Sequence, residues 1–162
     1  MTANLQGILQ QPGQGNSYWV LGDLYTFKAI GEETDKTYAL MEIIVQPQGG
    51  APPHIHSHEN ESFYIQAGEL EFQIGEEIVV ATPGTFLHSP KGQMHSFINK
   101  TDQPVKLLCW VTPAGAEKFF MEIGVLAVDI NKSPGVSRAD IEKVIATAPK
   151  YGLEIIPPPS QG

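Results

Sequence analysis

The chain is poor in the features that define most specialised classes. It has a single cysteine, Cys109, which excludes an intrachain disulfide and gives no sign of an oxidising compartment. Cys109 lies in the apolar run Leu107-Leu108-Cys109-Trp110-Val111, where a small buried hydrophobe is expected rather than a nucleophile. Basic charge is scarce: 10 Lys and Arg against 18 Asp and Glu leave a net charge of -8. Neither nucleic acid nor an anionic membrane would find a basic patch to bind. No apolar run approaches the ~20 residues of a spanning helix. The first residues, Met1-Thr2-Ala3-Asn4, lack the positive charge and apolar core of a secretory signal. A cytoplasmic protein is expected. No internal repeat is visible, so one barrel is expected rather than two.

What the chain has in quantity is turn residues. Gly 16 and Pro 13 among 162 residues point to short strands joined by many turns. Residues 1–16 are polar and read as an N-terminal arm. Residues 17–112 read as a run of strands: one or two over Ser17–Ile30, then Thr37–Val45, Phe63–Gln66, Leu70–Ile74, Glu77–Ala81, Thr85–Ser89, His95–Ile98 and Val105–Val111. Ala67-Gly68-Glu69 has the spacing of a hairpin turn. Such a pattern predicts an all-β antiparallel sandwich or barrel. Residues 113–162 change character and form a C-terminal helical extension and tail. A short helix is expected over Gly115–Ile123. Ser137, with Asp140 three residues on, opens a second. Its stripe is Ile141, Val144, Ile145 and Ala148, and Pro149 ends it. All three parts are expected to form one domain.

The chemistry concentrates in His54-Ile55-His56-Ser57-His58-Glu59-Asn60-Glu61. In a strand, His54 and His56 project from one face, and a loop and second strand would bring Glu61 beside them. Two imidazoles and a carboxylate make a mixed N/O site suited to borderline divalent metals. A fourth ligand must come from elsewhere, and His95 is the strongest candidate. The alternative is an ordinary polar loop with a hydrogen-bonded core histidine. His58 is expected to be solvated or to sit behind a ligand, and His88 to be structural. Glu59 either holds a ligand histidine or is a solvated loop carboxylate. If Glu61 points inward, so do Phe63 and Ile65; if His95 does, so does Phe97. Phe63 and Phe97 are thus expected to bind substrate in a small-molecule pocket, the alternative being that they fill the barrel core, which is the expectation for Ile65. Tyr38, Met41, Trp110, Phe119 and Phe120 are the candidates for its mouth, with packing of a helix against the outside of the sheet as the alternative for Phe119 and Phe120.

The two polar clusters match the two motifs of the cupin superfamily. The first is His54-x-His56, four residues, Glu61, six residues, Gly68; the second is Gly84, five residues, Pro90-x-Gly92, two residues, His95, three residues, Asn99. One position departs: the glycine expected before the first histidine falls at Gln48, and the chain has Gly49-Gly50 instead. The chain resembles single-domain, quercetin-dioxygenase-like cupins. That resemblance implies a double-stranded β-helix, a cupin jelly-roll barrel, holding one divalent transition metal (Fe, Mn, Ni, Zn, Cu or Co) on His54, His56, Glu61 and His95. It also implies a homodimer. The leading expectation for function is a metal-dependent dioxygenase acting with O2 on a small enol or phenol-type substrate, flavonol-like compounds included, with Glu61 as both ligand and catalytic base. The alternatives are a metal-assisted isomerase, epimerase or lyase, and a non-catalytic small-ligand-binding module.

Overall fold

The computed structural model describes residues 6–157. Twelve strands and two helices follow in chain order: β1 (Asn16–Val20), β2 (Asp23–Ala29), β3 (Ala39–Val45), β4 (Gly50–His56), β5 (Asn60–Ala67), β6 (Leu70–Ile74), β7 (Glu77–Ala81), β8 (Phe86–Ser89), β9 (His95–Ile98), β10 (Val105–Thr112), α1 (Ala116–Ile123), β11 (Val125–Leu126), α2 (Arg138–Thr147) and β12 (Leu153–Ile155). The first sheet runs β11-β1-β2-β3-β10-β5-β8 and the second β12-β4-β9-β6-β7. Every strand pairing is antiparallel. This is the double-stranded β-helix that the motifs imply. Of the expected arm, residues 1–5 lie outside the described residues and residues 6–16 are exposed.

Residue alternation decides which faces meet. β3 and β10 bury every second side chain, the period-two pattern of strands with one face on a core. Between the sheets, Phe63 of β5 meets Phe72 of β6 and Phe97 of β9, with ring centroids 4.9, 5.8 and 5.2 Å apart pairwise. Each such buried ring contributes about 1.5–3 kcal/mol. Ser17–Ile30 resolves into two strands because Leu21 and Gly22 both have positive φ, 48° and 81°, the two-residue turn that joins twisted strands.

One local reading is corrected. Ala67-Gly68-Glu69 does not close a hairpin: β5 pairs with β10 and β8, whereas β6 pairs with β7 and β9 in the other sheet. The three residues turn a barrel corner, with Gly68 at φ 82° against Val105, where an added Cβ would lie 2.9 Å from Val105 Cγ2. A hairpin and a corner share the same turn chemistry, and only the partners of each strand distinguish them.

The C-terminal helices match their sequence signals. Gly115 precedes α1, which buries Phe119, Phe120 and Ile123. Ser137 caps α2 in a reciprocal box: its side chain accepts from Asp140 N, and Asp140 accepts from Ser137 N at 2.7 Å. Of the α2 stripe, Val144 and Ala148 are buried, but Ile141 and Ile145 remain exposed. No helix among the described residues is long and apolar enough to cross a membrane.

Candidate metal centre

Strand register assembles the cluster. His54 and His56 lie two apart on β4 and face inward. Pro52 and Pro53 offer no N–H to the ladder, and at that point the β4–β9 pairing shifts, which sets His54 opposite His95. Glu61 comes from the other sheet, on β5, opposite Val111 and Ser89. The motif departure is absorbed locally. Gln48 takes the left-handed conformation, φ 65°, where the motif has glycine. Gly50 lies so close to the Phe97 carbonyl oxygen that no side chain fits. Asn99, the last residue of the second motif, is fully buried. It clamps the loop before β10 by donating to Val45 O and Gln103 O at 3.1 and 2.8 Å.

The four groups converge on one point. Glu61 Oε2 lies 2.6 Å from His95 Nε2, 3.1 Å from His56 Nε2 and 3.7 Å from His54 Nε2, and one ligand atom from each residue falls within 4.8 Å of the others. All four residues are buried. The opposite ring nitrogens set the tautomers. His54 Nδ1 donates to Pro52 O at 2.7 Å. His95 Nδ1 lies 3.2 Å from Gln93 O and 2.9 Å from Ser89 Oγ, and His56 Nδ1 lies 3.4 Å from Glu59 Oε2. A carbonyl or carboxylate only accepts, so each Nδ1 carries the proton and each Nε2 presents a lone pair inward.

With all three imidazoles neutral, three nitrogen lone pairs and a carboxylate oxygen would face one another with no proton between them. His56 Nε2 is buried without a hydrogen-bond partner among the described residues, although Glu61 Oε2 is near, because two acceptors cannot bond. Such a cluster needs a positive charge. Burial pulls the His56 imidazole down, but Glu61 and Glu59 outweigh it and hold it up at about 10. Burial dominates at His54 and lowers it, against Glu61. At Glu61 burial pushes upward, but with protons on the imidazoles the charge of His56 and hydrogen bonds from His54, His56 and His95 outweigh it and hold the carboxyl well below its usual range. The site attracts either a proton or a cation, and the donor set, three imidazoles and a carboxylate, fits a divalent transition metal.

The surrounding residues distribute unevenly. Glu59 is buried against His56, not solvated. His58 is exposed, and His88 lies on the outer face with Nδ1 2.8 Å from Ser62 Oγ. Phe63 supports the His95 ring from below at 6.0 Å, while Phe97 and Met41 fill the barrel core. Trp110 points outward and stacks on Phe86. Tyr38, just before β3, is partly exposed, and neither it nor Trp110 lines the chamber at His54. That chamber, about 40 Å3, is lined by Phe119, Phe120, Ile123 and Tyr25 among others. Tyr25 lies in a strand buried on both faces, so alternation carried no signal for it. Cys109 also has an unforeseen part: its thiol donates to Glu61 Oε1 at 3.2 Å, and burial pushes its pKa far up, keeping the proton in place.

Comparison with known proteins agrees with the architecture. The family model described as "Cupin domain" matches residues 41–111. The chain is 25% identical over 118 residues to quercetin 2,3-dioxygenase of Bacillus subtilis, covering 70% of this chain and 34% of that protein. It thus spans about a third of the length of that curated relative. Among solved structures, KdgF from Halomonas sp. superposes with a TM-score of 0.61 at 13% identity, covering 70% of this chain and 98% of that one. An RmlC-like cupin from Shewanella frigidimarina gives 0.58 at 18% identity, covering 70% and 98%. A predicted oxalate decarboxylase from Thermotoga maritima gives 0.58 at 17%, covering 67% and 99%. At these identities the solved structures establish shared fold alone.

Proposed function

Because this chain belongs to the cupin superfamily, we propose that His54, His56, Glu61 and His95 hold one divalent transition metal and that the protein is a dioxygenase acting on a small enol or phenol-type substrate. The observation that supports this reading is the convergence of four buried acceptors whose tautomers are set by partners behind them. A cation bound there would supply Lewis acidity toward a substrate oxygen and a meeting point for substrate and O2. The chain's own residues do the rest. His54, the most exposed of the four at 7%, faces the inner chamber and so meets the substrate. Glu61 Oε2 would take the enol proton, while Cys109 holds Oε1 and so fixes the carboxylate's orientation. Phe119, Phe120 and Ile123 exclude water from the chamber. The weak likeness to quercetin 2,3-dioxygenase points the same way.

The test is oxygen uptake with a panel of flavonols, diketones and catechols, after loading with iron, manganese, nickel or cobalt and alongside elemental analysis of the native protein. Metal bound at one per chain with uptake on one substrate class is expected. No uptake with any loaded metal would refute the oxygenase.

One observation favours a second reading, a metal-assisted isomerase: the Tyr25 ring lines the same chamber and offers a phenol for proton transfer. Anaerobic turnover of a sugar or keto acid would decide for it. A single-domain homodimer in the cytoplasm completes the proposal, and light scattering in solution tests the stoichiometry.

A further inference from the structure

Outside the chamber lies a larger space that the proposed chemistry does not use. A groove of about 530 Å3 runs between α2 and the β4–β12 edge, and its outer part is formed by Val136, Ile141, Ile145 and Ile156. Its inner end shares Leu21, Gly50, Pro52, Val144 and Ile155 with the chamber that reaches His54. The two spaces adjoin across these five residues. The groove has the size of a ligand pocket, ~300–1,000 Å3. The chamber, at about 40 Å3, admits only a slender group.

The polarity across the two adjoining spaces is ordered. α2 buries only half of its apolar stripe: Ile141 and Ile145 are 49% and 57% exposed, and both line the groove. At the inner end are two polar groups, His54 and Tyr25. Tyr25, 5% exposed as a residue, packs its ring on Phe120 at 5.1 Å and lines the chamber beside His54.

We infer that the substrate is amphipathic: a narrow oxygen-bearing head reaches His54 and Tyr25 through the chamber, and an unbranched apolar tail lies in the groove beneath α2. This rests on the metal-site reading above and narrows it, from planar multi-ring enols to straight-chain ones such as alkyl β-diketones. Tyr25 is then a substrate-binding group, donating to or accepting from the head beside the metal.

The test is calorimetric binding of straight-chain β-diketones whose tail is lengthened from methyl to octyl, with metal-loaded and chelator-treated protein, using wild type, Ile145→Asp and Tyr25→Phe. Affinity is expected to rise about fourfold per methylene, the fold-change equivalent to ~0.8 kcal/mol of buried CH2, until the groove is filled. Ile145→Asp, at an exposed helix position whose folding is checked by melting temperature, should flatten that dependence and leave the methyl compound unaffected. Tyr25→Phe keeps the ring packing and should weaken every member alike, by about two- to tenfold. Affinity independent of tail length, or a slope unchanged by Ile145→Asp, overturns the inference. So does loss of self-association in Ile145→Asp with ligand binding intact, since a second copy would then be the occupant of the groove. Chelation separates the two proposals: if the methyl compound binds equally with and without metal, the metal reading fails, and the slope still decides the groove.

Discussion

Asp23 offers a sharp test of how the loop leading to the proposed metal ligands is held. The side chain is 1% exposed and accepts from Gln46 N at 2.8 Å, with a further bond from Gly50 N. It therefore ties the end of β3 to the start of β4, the strand that carries His54 and His56. Burial outweighs those two bonds and pushes its carboxyl from 3.8 up to about 7. The folded state thus holds the proton more tightly than the unfolded state. The stabilising contribution is fully present below about pH 4, and is lost as pH rises through about 7. At about 1.4 kcal/mol per unit, the loss is on the order of 4 kcal/mol. Asp23→Asn cannot ionise, but its amide replaces one accepting oxygen and sacrifices a bond worth ~1–3 kcal/mol. The variant should be less stable than wild type near pH 4 and equal to it or more stable near pH 8. Urea unfolding of both proteins across that range, with chelator present so that metal binding does not contribute, yields the difference curve. Because all other titrating groups cancel, a flat difference, or one sloping the opposite way, would refute the account of Asp23.

Three further outcomes are expected. His54→Ala and His95→Ala each lose most bound metal, whereas His58→Ala, at an exposed position, retains it; equal loss in all three by elemental analysis would show the ligand assignment to be wrong. Cys109→Val removes the donor to Glu61 Oε1 while keeping an apolar side chain of similar bulk. A fall of about tenfold in metal affinity, the lower end for partners behind a ligand, should appear in titration against a chromophoric chelator, and unchanged affinity would assign Cys109 to packing alone. Metal at a hundredfold excess over Kd should stabilise the fold by about 2.7 kcal/mol. That gain should vanish on acidification, as protons compete for the Nε2 atoms. A melting-temperature gain that stays constant from about pH 8 to pH 5 would contradict imidazole ligation.

Much of the fold was readable because it depends on local periodicity. The alternation in Ala39–Val45 and Val105–Thr112, the Ser137 and Asp140 pair, and the two motif spacings each act within a few residues, and the structure follows them. Gly68 shows where that reading stops. A glycine at positive φ announces a turn, but not whether the strands on either side pair with each other or part into different sheets. Glu59 illustrates the same limit, since a carboxylate in a polar loop looks solvated until the loop folds back on His56.

The chain's own order of residues thus determined which side chains can bind a metal, because β-strand parity sets His54 and His56 on one face and turn residues bound each strand. Tertiary structure alone decided what surrounds them. Tyr25, Cys109 and Phe119 reach the site through strand pairing and helix packing between segments far apart in sequence. Those contacts depend on register, sheet partition and shape complementarity, which a local pattern does not encode.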